Sequence, residues 1–219
     1  MDDAGRPTLV LVVGLGNPIL RDDAVGIRLA RGFRRRWENR PNAAARGTAP
    51  GGDGDHAAAE PPVITRDSTC VDSPAITHGS VTAGGRAVGP GGMIDVRFLE
   101  ECSVGGLTLV EQLAGYDRVV VLDSIRTRDG RPGDWYSFTA SALRPTMNLG
   151  SVHDANFATA LELGRRTGLV LPPDERIVIF TVEIEDNLTF DERMSEALEA
   201  AYPGYSQEIF EEIERLVES

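Results

Sequence analysis

The sequence predicts an α/β fold: a three-layer αβα sandwich around a mostly parallel, twisted central sheet. Three observations predict it. Apolar runs such as "TLVLVV", "RVVVL" and "RIVIF" are continuous rather than alternating, as in strands buried on both faces. Stretches with helical spacing of apolar residues separate these runs. Strand and helix therefore alternate almost throughout, the pattern of βα units.

Taken in order, Thr8 to Val13 forms the first strand and breaks at Gly14 and Gly16. From Asp23 onward, Gly26, Leu29, Ala30, Phe33 and Trp37 fall on one face of a helix. Residues from about 41 to 92 differ. They are small, polar and rich in glycine and proline, with too little apolar surface to offset the entropy lost on ordering. The expectation is a single domain over residues 1–219 with a flexible insertion at about 41–92; "PPVITR" is the best candidate for a short strand within it. Beyond it, "MIDVRFLEE" alternates as a strand does, and "GLTLVEQLAG" gives a short helix stopped by Gly115. "DRVVVLDS" is a buried strand ending at Asp123, and "GDWYSFTA" is another strand. "SVHDANFATALELGRRTG" is a helix with Phe157, Ala160, Leu161 and Gly164 inward. "ERIVIFTVEIE" is a strand, and the C-terminal stretch is helical with a predicted interruption at "YPGY".

Bulk properties narrow the function classes. The 219 residues carry a formal charge of −12 and are 41% hydrophobic, ordinary for a soluble domain. A nucleic-acid binder that works through phosphate contacts would present a basic face. The basic cluster "RLARGFRRRWENR" lies on a helix and reads as a solvated face rather than an anion site. No apolar run approaches the about 20 residues of a membrane helix. The N-terminus, "MDDAGRPTLV", lacks the regions of a signal peptide, so a cytoplasmic protein with no membrane partner is expected. The two cysteines, Cys70 and Cys102, are too few for a disulfide framework or a paired-thiolate metal site and are expected as free thiols.

Ligands of open α/β sheets gather beyond the carboxyl ends of the strands. Asp23, Asp123 and His153 are all predicted there, after the first strand, at the end of "RVVVLDS" and at the start of a helix. The glycine turn departs from a dinucleotide fingerprint: Gly14 and Gly16 fit, but Ile19 occupies the third glycine position and two carboxylates follow. One of Asp22 and Asp23 is expected to cap the helix, leaving the other free for chemistry. Ser151 as N-cap and Asp154 at the third helical position put His153 in a first turn, where the helix dipole favours neutral imidazole, the metal-binding form. Two carboxylates and an imidazole suit a divalent transition metal, in a site too thin for permanent occupancy. Cys102 lies near a glycine pair that suits close approach of a substrate backbone; as a nucleophile it would need a nearby base.

"GLGNPILRDDAVG", "ECSVGGLTLVEQLAGYDRVVVLDSI" and "GSVHDANFATALELG" resemble, in that order, the successive motifs of the [NiFe]-hydrogenase maturation proteases. "IVIFTVEIEDNLTFDERMSEALEAA" resembles the end of that family's sheet and its final helix. The resemblance implies a metal-dependent endopeptidase, of the class termed aspartic-type, that removes the C-terminal peptide of a hydrogenase large-subunit precursor after nickel insertion. It implies Asp23, Asp123 and His153 as the catalytic and metal-contacting residues, with nickel carried by the precursor rather than permanently bound. The first acid is aspartate where some members use glutamate, and the 41–92 insertion replaces a compact connection. A non-catalytic, nickel-dependent chaperone or docking factor using the same three ligands is the alternative.

Overall fold

In a computed structural model, which describes residues 6–40, 80–89, 92–143 and 152–219 (without the side chains of 152–156), the apolar run Thr8–Leu15 forms strand β1. Helix α1 (Val25–Glu38) follows, and Gly26, Leu29, Ala30, Phe33 and Trp37 all lie on its buried face, as their spacing requires. The chain continues through β2 (Thr82–Gly89), β3 (Gly92–Cys102), α2 (Gly106–Gln112), β4 (Arg118–Ile125) and β5 (Trp135–Thr139). It ends with α3 (Val152–Arg166), β6 (Ile177–Glu183) and α4 (Glu196–Glu218).

The six strands form one sheet in the order β2-β3-β1-β4-β6-β5. β3, β1, β4 and β6 run parallel, and β2 and β5 close the two edges antiparallel. Strand residues alternate between two cores. Val10, Val12, Val120, Leu122, Phe180 and Val182 pack with α1 and α4 on one face. Leu11, Val13, Val119, Val121, Ile177 and Ile179 pack with α2 and α3 on the other. The molecule is thus the three-layer αβα sandwich that the continuous apolar runs predict.

Two local expectations fail. Residues 82–89 lie within the stretch read as a flexible insertion, yet they form edge strand β2. Its sequence, "TAGGRAVG", has little strand propensity of its own; pairing with the buried β3 supplies the order, with Thr82 opposite Phe98 and Ala87 opposite Ile94. The proposed "PPVITR" strand lies outside the described residues. The break expected at "YPGY" is also absent, because α4 runs unbroken through Pro203. Pro203 and Gly204 are exposed, while Leu198 before them and Tyr205, Ile209 and Ile213 after them are buried, so packing on both sides carries the helix across the proline.

The basic face of α1 is solvated, as expected, and most of its arginines, with Arg40 just beyond the helix, are ion-paired. Arg28, Arg36 and Arg40 pair with Glu199, Glu214 and Glu218 of α4. Arg31 and Arg34 pair with Glu101 and Glu100 of β3. Cys102 is a free, buried thiol, and Cys70 lies outside the described residues. Among the described residues no helix is long and apolar enough to cross a membrane.

Candidate active site

The chain leaves β1 through α1 toward β3 on one side, and leaves β4 through α3 toward β6 on the other. The carboxyl ends of β1 and β4 therefore flank the point where the strand order reverses, the crevice in which such sheets bind ligands. Asp23 follows β1, and Asp123 lies near the end of β4.

Two glycines bring α1 hard against this edge. Gly16 has φ +136°, and a Cβ there would collide with the Asp23 carbonyl. A Cβ at Gly26 would collide with the Leu122 and Leu15 carbonyls. Any larger residue at either position would lift the helix start away from the strand ends.

The adjacent acids then have different fates, and neither caps α1. The N-cap position is Ala24, with no side-chain cap hydrogen bond. Asp22 is fully buried, and its Oδ1 and Oδ2 accept the N–H groups of Ser195 (2.6 Å) and Asp186 (3.1 Å). It ties the glycine turn to the segment between β6 and α4, and both oxygens are turned away from solvent. Asp23 is half-buried at the sheet edge. Its Oδ2 accepts the Asn17 N–H at 2.8 Å, and its Oδ1 accepts the Ser124 hydroxyl at 3.0 Å.

Ser124 links the two strand ends. Asp123 shares its face of β4 with Val119 and Val121, toward α2 and α3; Ser124 shares the opposite face with Val120 and Leu122, toward α1. The Ser124 N–H donates to Asp123 Oδ1 at 2.8 Å while its hydroxyl reaches Asp23. Asp23 and Asp123 thus approach one edge of the sheet from its two sides, joined through one residue. Strand parity was the available signal for Ser124, since a serine next to a strand-end acid must point to the other face.

His153 lies in the first turn of α3 (Val152–Arg166), the helix that follows β4 and β5 in the chain. Its side chain, and the Ser151–Asp154 cap, lie outside the described set. Among the described residues no group of three or more His, Cys, Asp or Glu side chains is placed to hold a metal ion. Cys102 ends β3 near this edge, but burial pushes its thiol up and the nearby Asp123 adds to the effect. Both oppose the thiolate that a nucleophile needs.

The rim beside Asp23 is apolar and exposed. Leu20 bridges to Phe190, and the Arg21 N–H donates to the Thr189 carbonyl at 2.9 Å, forming a short two-stranded lip. Ile19, Leu188 and Phe190 project from it into solvent. Asp186 anchors its base: the Thr189 hydroxyl and the N–H groups of Thr189 and Leu188 hold its carboxyl down at about 2.

The class that this fold defines is the α/β sandwich found in hydrogenase maturation endopeptidases. Among solved structures, the hydrogenase maturating endopeptidase HybD from E. coli matches with a TM-score of 0.54 at 16% sequence identity, over 95% of this chain and 93% of that one. The [NiFe] hydrogenase maturation protease HybD from Thermococcus kodakarensis matches with a TM-score of 0.51, also at 16% identity, over 96% of this chain and 99% of that one. At this identity the likeness is one of fold. No protein-family model matches the sequence, and no curated protein sequence matches it.

Proposed function

We propose that the protein is an endopeptidase that removes the C-terminal peptide of a [NiFe]-hydrogenase large-subunit precursor once nickel has been inserted. The observation that carries this reading is that Asp23 and Asp123 each hydrogen-bond Ser124 at the strand-order switch of a fold shared with hydrogenase maturation endopeptidases. His153, in the first turn of α3, is the third residue of the proposed site.

In this reading nickel arrives with the substrate, held by the precursor's own ligands. Such a metal would supply Lewis-acid chemistry at the scissile carbonyl or at a water molecule. The chain contributes two carboxylates and an imidazole that meet the metal and orient the peptide beside it. Asp23 is the better base of the acidic pair. It is half-buried and its carboxylate has acceptor capacity beyond the two bonds it receives, whereas Asp22 is sealed and committed to two backbone N–H groups. Ile19, Leu188 and Phe190 offer an apolar rest for the polypeptide around the cut.

The test is to mix the full-length protein with a precursor, nickel-loaded or nickel-free, and follow intact mass. Release of a C-terminal fragment only from the loaded precursor is expected. Asp23→Asn and Asp123→Asn should each slow release by about 10²–10⁴-fold, the range for loss of a general acid–base group. His153→Ala should also abolish it. Binding of the loaded precursor without any cleavage would instead identify a chaperone or docking factor, and full activity in all three variants would remove the site.

A further inference from the structure

Among the described residues, the carboxyl edge of the sheet holds a buried hydroxyl that the foregoing chemistry does not use. Thr181 of β6 stands directly opposite Asp123 of β4 in the parallel register. Adjacent strands lie about 4.8 Å apart, and residues in register present their side chains to the same face. Parity agrees: Ile177 and Ile179 precede Thr181 on the α3 side, as Val119 and Val121 precede Asp123. Thr181 is 4% exposed, and among the described residues its Oγ1 has no hydrogen-bond partner.

Buried hydroxyls in folded proteins nearly always have a partner, so this one needs a reason. Two other polar side chains flank it on this face and on the neighbouring strand. Glu183, two residues along the same face, is turned to the loop after β4, where its Oε1 accepts the Thr127 N–H and a Cβ at Gly130 would strike it; its buried Oε2, like the Thr181 hydroxyl, has no partner among the described residues. Tyr136, opposite Thr181 in β5, is 41% exposed. Asp123 is the group across the ladder. A carboxylate turns about its last torsion over a broad, soft range, so a modest rotation brings an oxygen toward the Thr181 hydroxyl.

We propose that Thr181 is a positioning residue of the site, its hydroxyl donating to the Asp123 carboxylate when substrate engages Asp123. The proposal rests on the hydrolytic reading above. In the resting fold the hydroxyl has no partner among the described residues. With the precursor bound, the hydrogen bond fixes which carboxylate oxygen faces the substrate, as outer partners of ligating carboxylates do.

The test compares full-length wild type with Thr181→Val, which keeps the shape and removes the hydroxyl, and with Thr181→Ser, which keeps the hydroxyl. Thr181→Val is expected to lower kcat on the nickel-loaded precursor by about 10–100-fold with KM little changed. Its melting temperature should equal or exceed that of wild type, because the resting hydroxyl makes no bond to the described residues. Thr181→Ser should recover most of the rate. A Thr181→Val enzyme that cleaves at the wild-type rate overturns the proposal while leaving the hydrolytic reading intact. So does one that loses rate and melting temperature together without rescue by serine, since that marks a packing role. A wild type that releases no peptide overturns the reading and the proposal with it.

Discussion

Asp22 and Asp23 are chemically identical neighbours with opposite tasks, and the difference is measurable. Asp22 satisfies two N–H groups on a segment more than 160 residues further along the chain. Asp22→Ala strands the buried Ser195 N–H and the part-buried Asp186 N–H and should cost on the order of 2 kcal/mol, read from the urea unfolding midpoint. Asp23→Ala should cost less stability and abolish peptide release. Equal destabilisation by the two substitutions would contradict this division. Tyr205→Phe is the counter-example: the Tyr205 hydroxyl is buried without a partner among the described residues, and burial pushes its pKa up. Its removal should leave the melting temperature unchanged or raise it. The sequence showed that one of the two acids was surplus to capping, but not that both were. The Ala24 cap position and the burial of Asp22 are set by the turn at Gly16 and by the loop before α4, neither of which local pattern reveals. Asp123 was readable because a terminal acid on an apolar strand has a fixed place in this topology. Thr181 was not, because its meaning depends on the register between β4 and β6.

Elements were legible where their residues are buried on both sides, and hidden where a neighbour imposes their structure. β1, β4 and β6 declare themselves as aliphatic runs. β2 has glycines at 84 and 85, and its strand character comes from β3 alongside. A Cβ at Gly84 would strike the Phe98 ring, so the residue that weakens the strand also lets it lie flat on the core. Pro203 makes the same point for α4. It removes the N–H that the Glu199 carbonyl would accept, yet the helix continues because its buried face is anchored on either side. Pro203→Ala should therefore raise stability, by up to about 3 kcal/mol, with the increase visible in thermal unfolding. An unchanged or lowered melting point would mean that the surrounding packing is built around the proline.

At the scale of the whole molecule, a chain of net charge −12 places many of its arginines against its own carboxylates. Each exposed pair contributes little alone. Together they leave the α1 face matched to α4 and β3 rather than offered to phosphate. The remaining consequence is a pH dependence with a definite sign. The Thr189 hydroxyl, with the Thr189 and Leu188 N–H groups, lowers the Asp186 carboxyl to about 2. The Arg193 N–H lowers Asp191, and the Arg28 hydrogen bond lowers Glu199. Where a folded-state pKa is depressed, the unfolded chain binds more protons as the medium turns acidic, so stability rises with pH. The Asp186 contribution is fully present above its ordinary value near 4 and is lost as pH falls from there to about 2. Urea midpoints measured from pH 5 down to pH 2 should decline through this window. Asp186→Asn keeps an acceptor for the loop but cannot titrate, so its decline should be shallower between pH 4 and pH 2, while the two proteins differ by a constant amount at higher pH. Parallel slopes across the whole acid range would show that the lip holding Leu188 and Phe190 is not anchored by an ionised Asp186.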